Sequence, residues 1–213
     1  KSVLHFGFVQ HADQYEEAIA KNNWAHGWIN TVASRLVGID YLKNDVEKIR
    51  DKYGYEAYYG DAMDLGSCAL NEQFDVVICG ELIEHLTNPG LMLEGIKRFM
   101  KKDGILIITT PNVWGKTYLH QAKRSNEQDW VNDEHVQWYS FFTLANTIGR
   151  HGYHKVMYDY YYHFYTQNSY FEPSPGLMGK WKNFYRRLKM NKTKREAYLG
   201  LFFVAKRSDK SPG

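Results

Sequence analysis

The chain has 213 residues, 44% of them hydrophobic and 24% charged, which suits one globular domain with a full-sized core. Its net charge of +3 is too small to argue for a nucleic-acid partner, and no apolar run approaches the ~18 residues of a membrane span. Cys68 and Cys79 form no paired motif, and strand pattern begins at Ser2 with no room for a leader, so the expectation is a cytoplasmic protein with reduced thiols.

Taken in chain order, strand-like and helix-like segments alternate. "SVLHFGF" (2–8) reads as a strand. "NNWAHGWINTVAS" (22–34) places Trp24, Trp28, Ile29 and Val32 near one helical face. "RLVGIDY" (35–41) is a short apolar run ending in an aspartate, and "KNDVEKIRDKYG" (43–54) a helix with Asn44 or Asp45 as cap and Gly54 as stop. "YEAYYGDA" (55–62) holds a strand, and the β-branched "FDVVICGE" (74–81) one buried on both faces. "PGLMLEGIKRFMKKDG" (89–104) opens with Pro and closes with Gly, the usual helix asymmetry, before a buried strand "ILIITTPN" (105–112). "SFFTLANTIGRHG" (140–152) is a helix capped by Ser140; "YHKVMYDYYYHFY" (153–165) and "AYLGLFFVAKR" (197–207) are strands.

This alternation predicts an α/β fold, a Rossmann-like, doubly wound and mostly parallel sheet, in which the last two strands can pair antiparallel. Neither an internal repeat nor a low-complexity segment occurs. The expected organisation is a single domain over 1–213 with a basic helical insert at about 174–196.

In such sheets ligands sit beyond the carboxyl ends of the strands, so polar residues there carry information. Asp40 can accept both hydroxyls of a ribose, or cap the helix that follows. Asp61 can accept from an adenine amino group while the backbone of Ala62 or Met63 reads the ring, or serve only as a turn residue after Gly60. The two lie one strand apart, which strengthens them as a pair.

"LVGIDY", "YYGDAMDL", "FDVVICGELIEHL" and "PGLMLEGIKRFMKKDGILIITTPN" together resemble a class I S-adenosylmethionine-dependent methyltransferase, of the small-molecule type related to ubiquinone-pathway O-methyltransferases. The resemblance runs from about Ser2 to Tyr153 and returns over the final strand, and "DEHVQWYSFFTL" (133–144) resembles the segment that follows in that family. It implies a seven-stranded sheet with its last strand inserted antiparallel. It also implies S-adenosyl-L-methionine as cofactor, with Asp40 and Tyr41 at the ribose and Asp61, Ala62 and Met63 at the adenine.

The opening loop departs from the family. Where an acidic residue and Gly-x-Gly are usual, this chain has "HFGFVQH": His5 replaces the acid, Gly7 keeps the first glycine, and Val9 stands at the second. That loss would hurt a dinucleotide, whose pyrophosphate needs close backbone approach, more than a cofactor without phosphate. Gly7 and Phe8 supply the turn, and Gln10, His11 or the Trp24/His26 segment can supply donors to the amino-acid end.

"GELIEHL" places Gly80 and Glu81 at the end of the fourth strand, and helical spacing would set Glu81 beside both Glu84 and His85. These three can bind a divalent metal, as the ExxEH pattern of the resembled family does, or act as general base; a helix-start charge and a packed histidine are the plainer alternatives. His135, after a long polar loop (112–134), is a second candidate base for an acceptor hydroxyl, or a histidine satisfied by backbone. The catalytic candidates are therefore His135, His85 and Glu81.

The Tyr-rich strand sets Tyr158, Tyr160 and Tyr162 on one face and Asp159, Tyr161 and His163 on the other; core packing is expected of most, an acceptor pocket of one face. "KWKNFYRRLKMNKTKR" (180–195) reads as a basic amphipathic helix that packs on the domain, with peripheral membrane contact or phosphate binding as alternatives. The expected activity is methyl transfer to a small-molecule or glycan acceptor. Oxygen is favoured because no "NPPY"-type motif follows the fourth strand. A non-catalytic methyltransferase-like binding protein and an NAD-dependent oxidoreductase are the rivals.

Overall fold

The structure is a computed structural model that describes residues 1–12, 14–115, 132–161 and 200–208. The basic segment at 174–196 and residues Tyr162 and His163 lie outside these.

The first half of the sheet is built from β1 (Ser2–Phe6), β2 (Arg35–Asp40) and β3 (Glu56–Tyr59), connected through α1 (Tyr15–Ala20), α2 (Ala25–Asn30) and α3 (Lys43–Tyr53). The second half runs β4 (Phe74–Gly80), α4 (Pro89–Ile96), β5 (Met100–Pro111), α5 (Phe141–Arg150), β6 (Tyr153–Tyr161) and β7 (Gly200–Arg207). The seven strands lie in the order β3-β2-β1-β4-β5-β7-β6. β1 to β5 pair in parallel, and β7 is antiparallel to both β5 and β6. Strand order therefore reverses between β1 and β4, which places a ligand crevice over the carboxyl ends of those two strands.

Period-2 alternation divides the strands between two faces. Leu4, Phe6, Val37, Val77, Leu106 and Ile108 are buried in one core with α4 and α5, which contribute Met92, Leu93, Ile96, Leu144 and Ile148. Val3, Leu36 and Val76 face the other way, against Ile29 of α2. A separate aromatic cluster of Phe8, Trp24, Val46, Ile49 and Ala57 sits beside the β1 loop. Cys68 and Cys79 are buried free thiols, and burial pushes the Cys79 thiol up. No described helix is long and apolar enough to cross a membrane.

Several local expectations need correction. Helix α1 was not expected at all. α2 is short: Trp24 precedes it and is buried, whereas Val32 lies beyond its end and is 82% exposed. α3 starts after Leu42, with no side-chain cap from Asn44 or Asp45, although Gly54 ends it in the left-handed region as expected. α4 ends at Ile96, followed by one tight turn at Lys97–Phe99, and Gly104 lies inside β5 rather than stopping a helix. α5 carries the expected Ser140 cap: the hydroxyl accepts from the Thr143 N–H, and Thr143 Oγ1 accepts from the Ser140 N–H in return. β6 is an edge strand. Apart from Tyr153 its residues are exposed or half-buried, so core packing does not hold for Tyr158.

Candidate functional site

The β1 loop turns at Gly7, whose φ of 67° is open to glycine and whose N–H donates to the Ile39 carbonyl at 3.0 Å. Phe8 and Val9 then point inward and are fully buried. The Phe8 ring lies on β2 at Gly38, where a Cβ would stand 2.6 Å from ring carbon Cδ1. Trp24 Nε1 donates to the Phe8 carbonyl at 2.9 Å. Trp24 is thus committed to holding the loop from below. Gln10 and His11 come back to the surface, Gln10 in the left-handed region at φ 68° and His11 as the start of the turn into α1.

His26 is also turned inward. It is buried against His5, with the two Nδ1 atoms 3.1 Å apart and the rings nearly parallel. One Nδ1 must donate and the other accept, so the two imidazoles cannot both be protonated in this pair. Burial holds His5 down to about 4, and burial with the neighbouring His5 holds His26 down to about 2. The pair fills the place where the resembled family carries an acid, and the Trp24/His26 segment is not at the crevice.

Asp40, at the tip of β2, is 4% exposed. Its Oδ2 accepts from the Val9 N–H at 3.0 Å and its Oδ1 from the Leu42 N–H at 3.1 Å. Burial raises its carboxyl above the usual range, and these backbone donors oppose that rise. Asp40 therefore bolts the β1 loop to the β2 turn, which sequence reasoning had not foreseen. Each oxygen keeps a further lone pair for a hydroxyl. Tyr41 beside it is exposed. At the tip of β3, Asp61 Oδ1 accepts from the Met63 N–H at 2.8 Å, forming a local turn that presents Ala62 and Met63. The four tips 7–10, 40–41, 61–63 and 80–81 carry Asp40, Asp61 and Glu81 and no Lys or Arg. Such a set suits hydroxyls, an amine and a sulfonium, and it offers phosphate groups no cation.

The catalytic face lies at the tips of β4 and β5. Glu81 follows Gly80 in the left-handed region at φ 48°, and its N–H donates to the Thr109 carbonyl at 2.9 Å. Tyr161, at the end of β6, donates its hydroxyl to Glu81 Oε1. Burial, then the Glu81 charge, pushes the Tyr161 hydroxyl well up, so it stays a donor. Tyr161 was not singled out from sequence; only its place on the face opposite Tyr160 was legible.

Residues Ile83–His85 form one tight 3₁₀ turn rather than an α-helix, and this corrects the expected grouping. Glu84 turns inward and is 1% exposed; its Oε2 accepts from Thr110 Oγ1 at 2.9 Å, while Oε1 has no hydrogen-bond partner among the described residues. Burial, and then the charge of Glu81, pushes Glu84 up to about 8. His85 Nε2 stands 4.0 Å from Glu84 Oε1, and the His85 ring meets His135 edge to face at 4.7 Å between centroids. Among the described residues, Glu84, His85 and His135 bring their ligand atoms within 4.8 Å of one another. Glu81, expected in that group, belongs instead with Tyr161.

His135 is held there by backbone. Val136 and Gln137 both donate their N–H groups to the Glu84 carbonyl, at 2.9 and 3.1 Å, and His135 N–H donates to Asn132. Tyr139 then bridges to Asn112 beyond β5. The segment before α5 is thus stitched onto the turn after β4.

A family model described as a methyltransferase domain matches residues 28–172. A ubiquinone biosynthesis O-methyltransferase of Glaesserella parasuis serovar 5 (strain SH0165) is 40% identical over 48 residues, 22% of this chain and 20% of that relative. The match thus spans about a fifth of the relative's length. Among solved structures, a SAM-dependent methyltransferase from Archaeoglobus fulgidus aligns with a TM-score of 0.57 at 15% identity, covering 97% of this chain and 86% of that one. Phosphoethanolamine N-methyltransferase 2 of Haemonchus contortus, solved with S-adenosyl-L-methionine, aligns with a TM-score of 0.51 at 11% identity, covering 98% and 49%. At these identities the structural likenesses establish the fold.

Proposed function

The chain belongs to the class I S-adenosylmethionine-dependent methyltransferases, and from that premise we propose that it methylates a hydroxyl oxygen of a small molecule or glycan intermediate. When bound, the cofactor supplies a methyl group on a sulfonium whose leaving group is neutral. The protein's tasks are then to position both partners and to take a proton from the acceptor.

The observation that carries the reading is the pair of imidazoles at the β4 tip, His85 and His135, with ring centroids 4.7 Å apart. An imidazole there takes the acceptor's proton as its oxygen attacks the methyl carbon in line. Buried Glu84 backs His85, and Tyr161 fixes the Glu81 carboxylate by its hydroxyl. Asp40 holds the β1 loop in the shape that receives the cofactor, and its spare lone pairs accept from the ribose. Asp61 and the Ala62–Met63 backbone meet the adenine. The acidic residues at the tips and the valine at the second glycine position of the β1 loop speak against a dinucleotide, whose pyrophosphate needs close backbone approach there.

Calorimetry with S-adenosylhomocysteine and with NAD tests the cofactor assignment: binding of the first alone is expected, and binding of NAD alone overturns it. Mass spectrometry of extracts incubated with methyl-labelled cofactor identifies the acceptor atom. Label on nitrogen would refute the oxygen assignment, and full turnover by His135→Ala would remove that imidazole from the chemistry.

A further inference from the structure

β6 closes one side of the sheet, and among the described residues it pairs with β7 alone. Residues 154–159 of this strand are exposed, among them Val156, Met157 and Tyr158. The Tyr160 N–H donates to Asp159 Oδ1 at 2.8 Å, so it points away from β7, and by the two-residue period the backbone groups of Tyr158 point the same way. We propose that this edge is the docking site for an acidic, extended segment of a partner protein, which adds to the sheet as a further strand.

Charge along the edge argues for that occupant. The Lys155 ammonium lies over the Phe141 and Tyr158 rings, at 5.1 and 4.9 Å from their centroids, on the α5 face. Arg207, opposite Tyr153, donates to the Lys97 carbonyl just beyond α4 and so lies on the same face. Lys206 alternates onto the other face. It pairs with Ile105, which packs with Val3, Leu36 and Val76, and His154 stands opposite it on β6. Glu94 is engaged by Lys97 and His151, and Asp75 by Lys101; among the described residues no carboxylate pairs with Lys155, Lys206 or Arg207. Cations therefore flank the strand on both faces. Side chains of a strand alternate between faces, so an acidic segment laid along β6 reaches both sets at once while its backbone meets the outward N–H and C=O groups.

The same features disfavour other occupants. A second copy of this chain would bring Lys155 and the bulge at Val156 against their own counterparts, and like charges across a strand pair destabilise it. A planar anionic bilayer meets one face of a sheet, whereas these cations divide between two. Asp159 marks the upper limit of the contact, because it is itself an acid and already takes the Tyr160 N–H. The segment therefore pairs along the half of β6 nearer Tyr153 and leaves the rim with Glu81 and Tyr161 clear. The docking surface is separate from the methyl-transfer site and does not depend on that activity.

The probe is a fluorescent peptide of about ten residues, Glu-Glu-Val-Thr-Glu repeated once, titrated into the full chain at physiological ionic strength. Binding is expected, with slower hydrogen exchange at the Tyr158 amide. Lys155→Glu and Lys206→Glu, one on each face, should each weaken binding roughly tenfold, and Arg50→Glu, the same charge change on α3, should leave it unaltered. If Lys155→Glu does not fold, Arg207→Glu takes its place on that face; thermal stabilisation by S-adenosylhomocysteine reports the fold of each variant. A peptide that does not bind, or binds without protecting Tyr158, overturns the proposal. Equal loss in Arg50→Glu would reveal a general charge effect and overturn it too. Vesicles of phosphatidylserine with phosphatidylcholine, and a single-stranded oligonucleotide, are the counter-probes. Tighter binding of either, weakened by the same two reversals, overturns the protein segment in favour of that partner. A dimer in analytical ultracentrifugation that the reversals abolish would assign the edge to a second copy instead.

Discussion

Acidification from pH 7 to pH 5 should weaken this fold through one buried pair, His5 and His26. In the unfolded chain each imidazole titrates near 6.5, whereas burial holds His5 to about 4 and His26 to about 2. Between those values the unfolded chain binds more protons than the native one, so stability is complete above the unfolded value and falls as pH falls. At pH 5 each group lies about 1.5 units below 6.5, and at ~1.4 kcal/mol per unit that is about 2 kcal/mol each, or about 4 for the pair. Against a total of ~5–15 kcal/mol, this is a large share. The comparison is urea denaturation at both pH values for the wild type and the double variant His5→Leu/His26→Phe. Replacing both partners at once leaves no orphaned Nδ1, and Phe can keep the ring packing against Phe8, Trp24 and Tyr55. The double variant should lose about 4 kcal/mol less than the wild type over that interval. Equal losses in the two proteins would refute the assignment of acid sensitivity to this pair.

Asp40→Ala removes two charge-assisted bonds to backbone, at ~1.5–3 kcal/mol each, and should lower the melting temperature by about 6–24 °C and weaken S-adenosylhomocysteine binding. Calorimetry and thermal denaturation measure both, and an unchanged melting temperature would show that the bolt is idle. Gly38→Ala drives a Cβ into the Phe8 ring and should cost about 1–3 kcal/mol, read by urea midpoint. Tyr161→Phe frees the Glu81 carboxylate from its donor. A loss of ~1.4 kcal/mol from the transition state predicts roughly tenfold slower turnover with unchanged S-adenosylhomocysteine affinity, and equal turnover would exclude Tyr161 from positioning.

The sheet was legible because its strands are short apolar runs with turn residues at their ends, and the strand–helix spacing leaves few topologies. Less visible were places where a tertiary contact replaces a local signal. Asp40 looked like a helix cap or a ribose ligand, yet it is occupied by the Val9 N–H, thirty-one positions earlier in the chain. Residues 101–103 at the start of β5 are exposed, so "MKKD" showed no alternation and read as the tail of α4. Glu81, Glu84 and His85 were grouped by helical spacing, but a 3₁₀ turn sends Glu81 elsewhere. His135 entered the same cluster from fifty positions beyond His85, held by two N–H bonds to a carbonyl that no side-chain pattern encodes. Tyr161 was one tyrosine among many until the antiparallel register placed it beside Glu81.

That register has a further consequence. Tyr161 pairs directly with Gly200, and Gly200 with Pro111, so two positions thirty-nine apart in the chain are fixed side by side on the rim that carries Glu81. The closure entropy between two points so fixed grows only logarithmically with the number of residues joining them, so a change of length between Tyr161 and Gly200 leaves the strand register of the rim as it is.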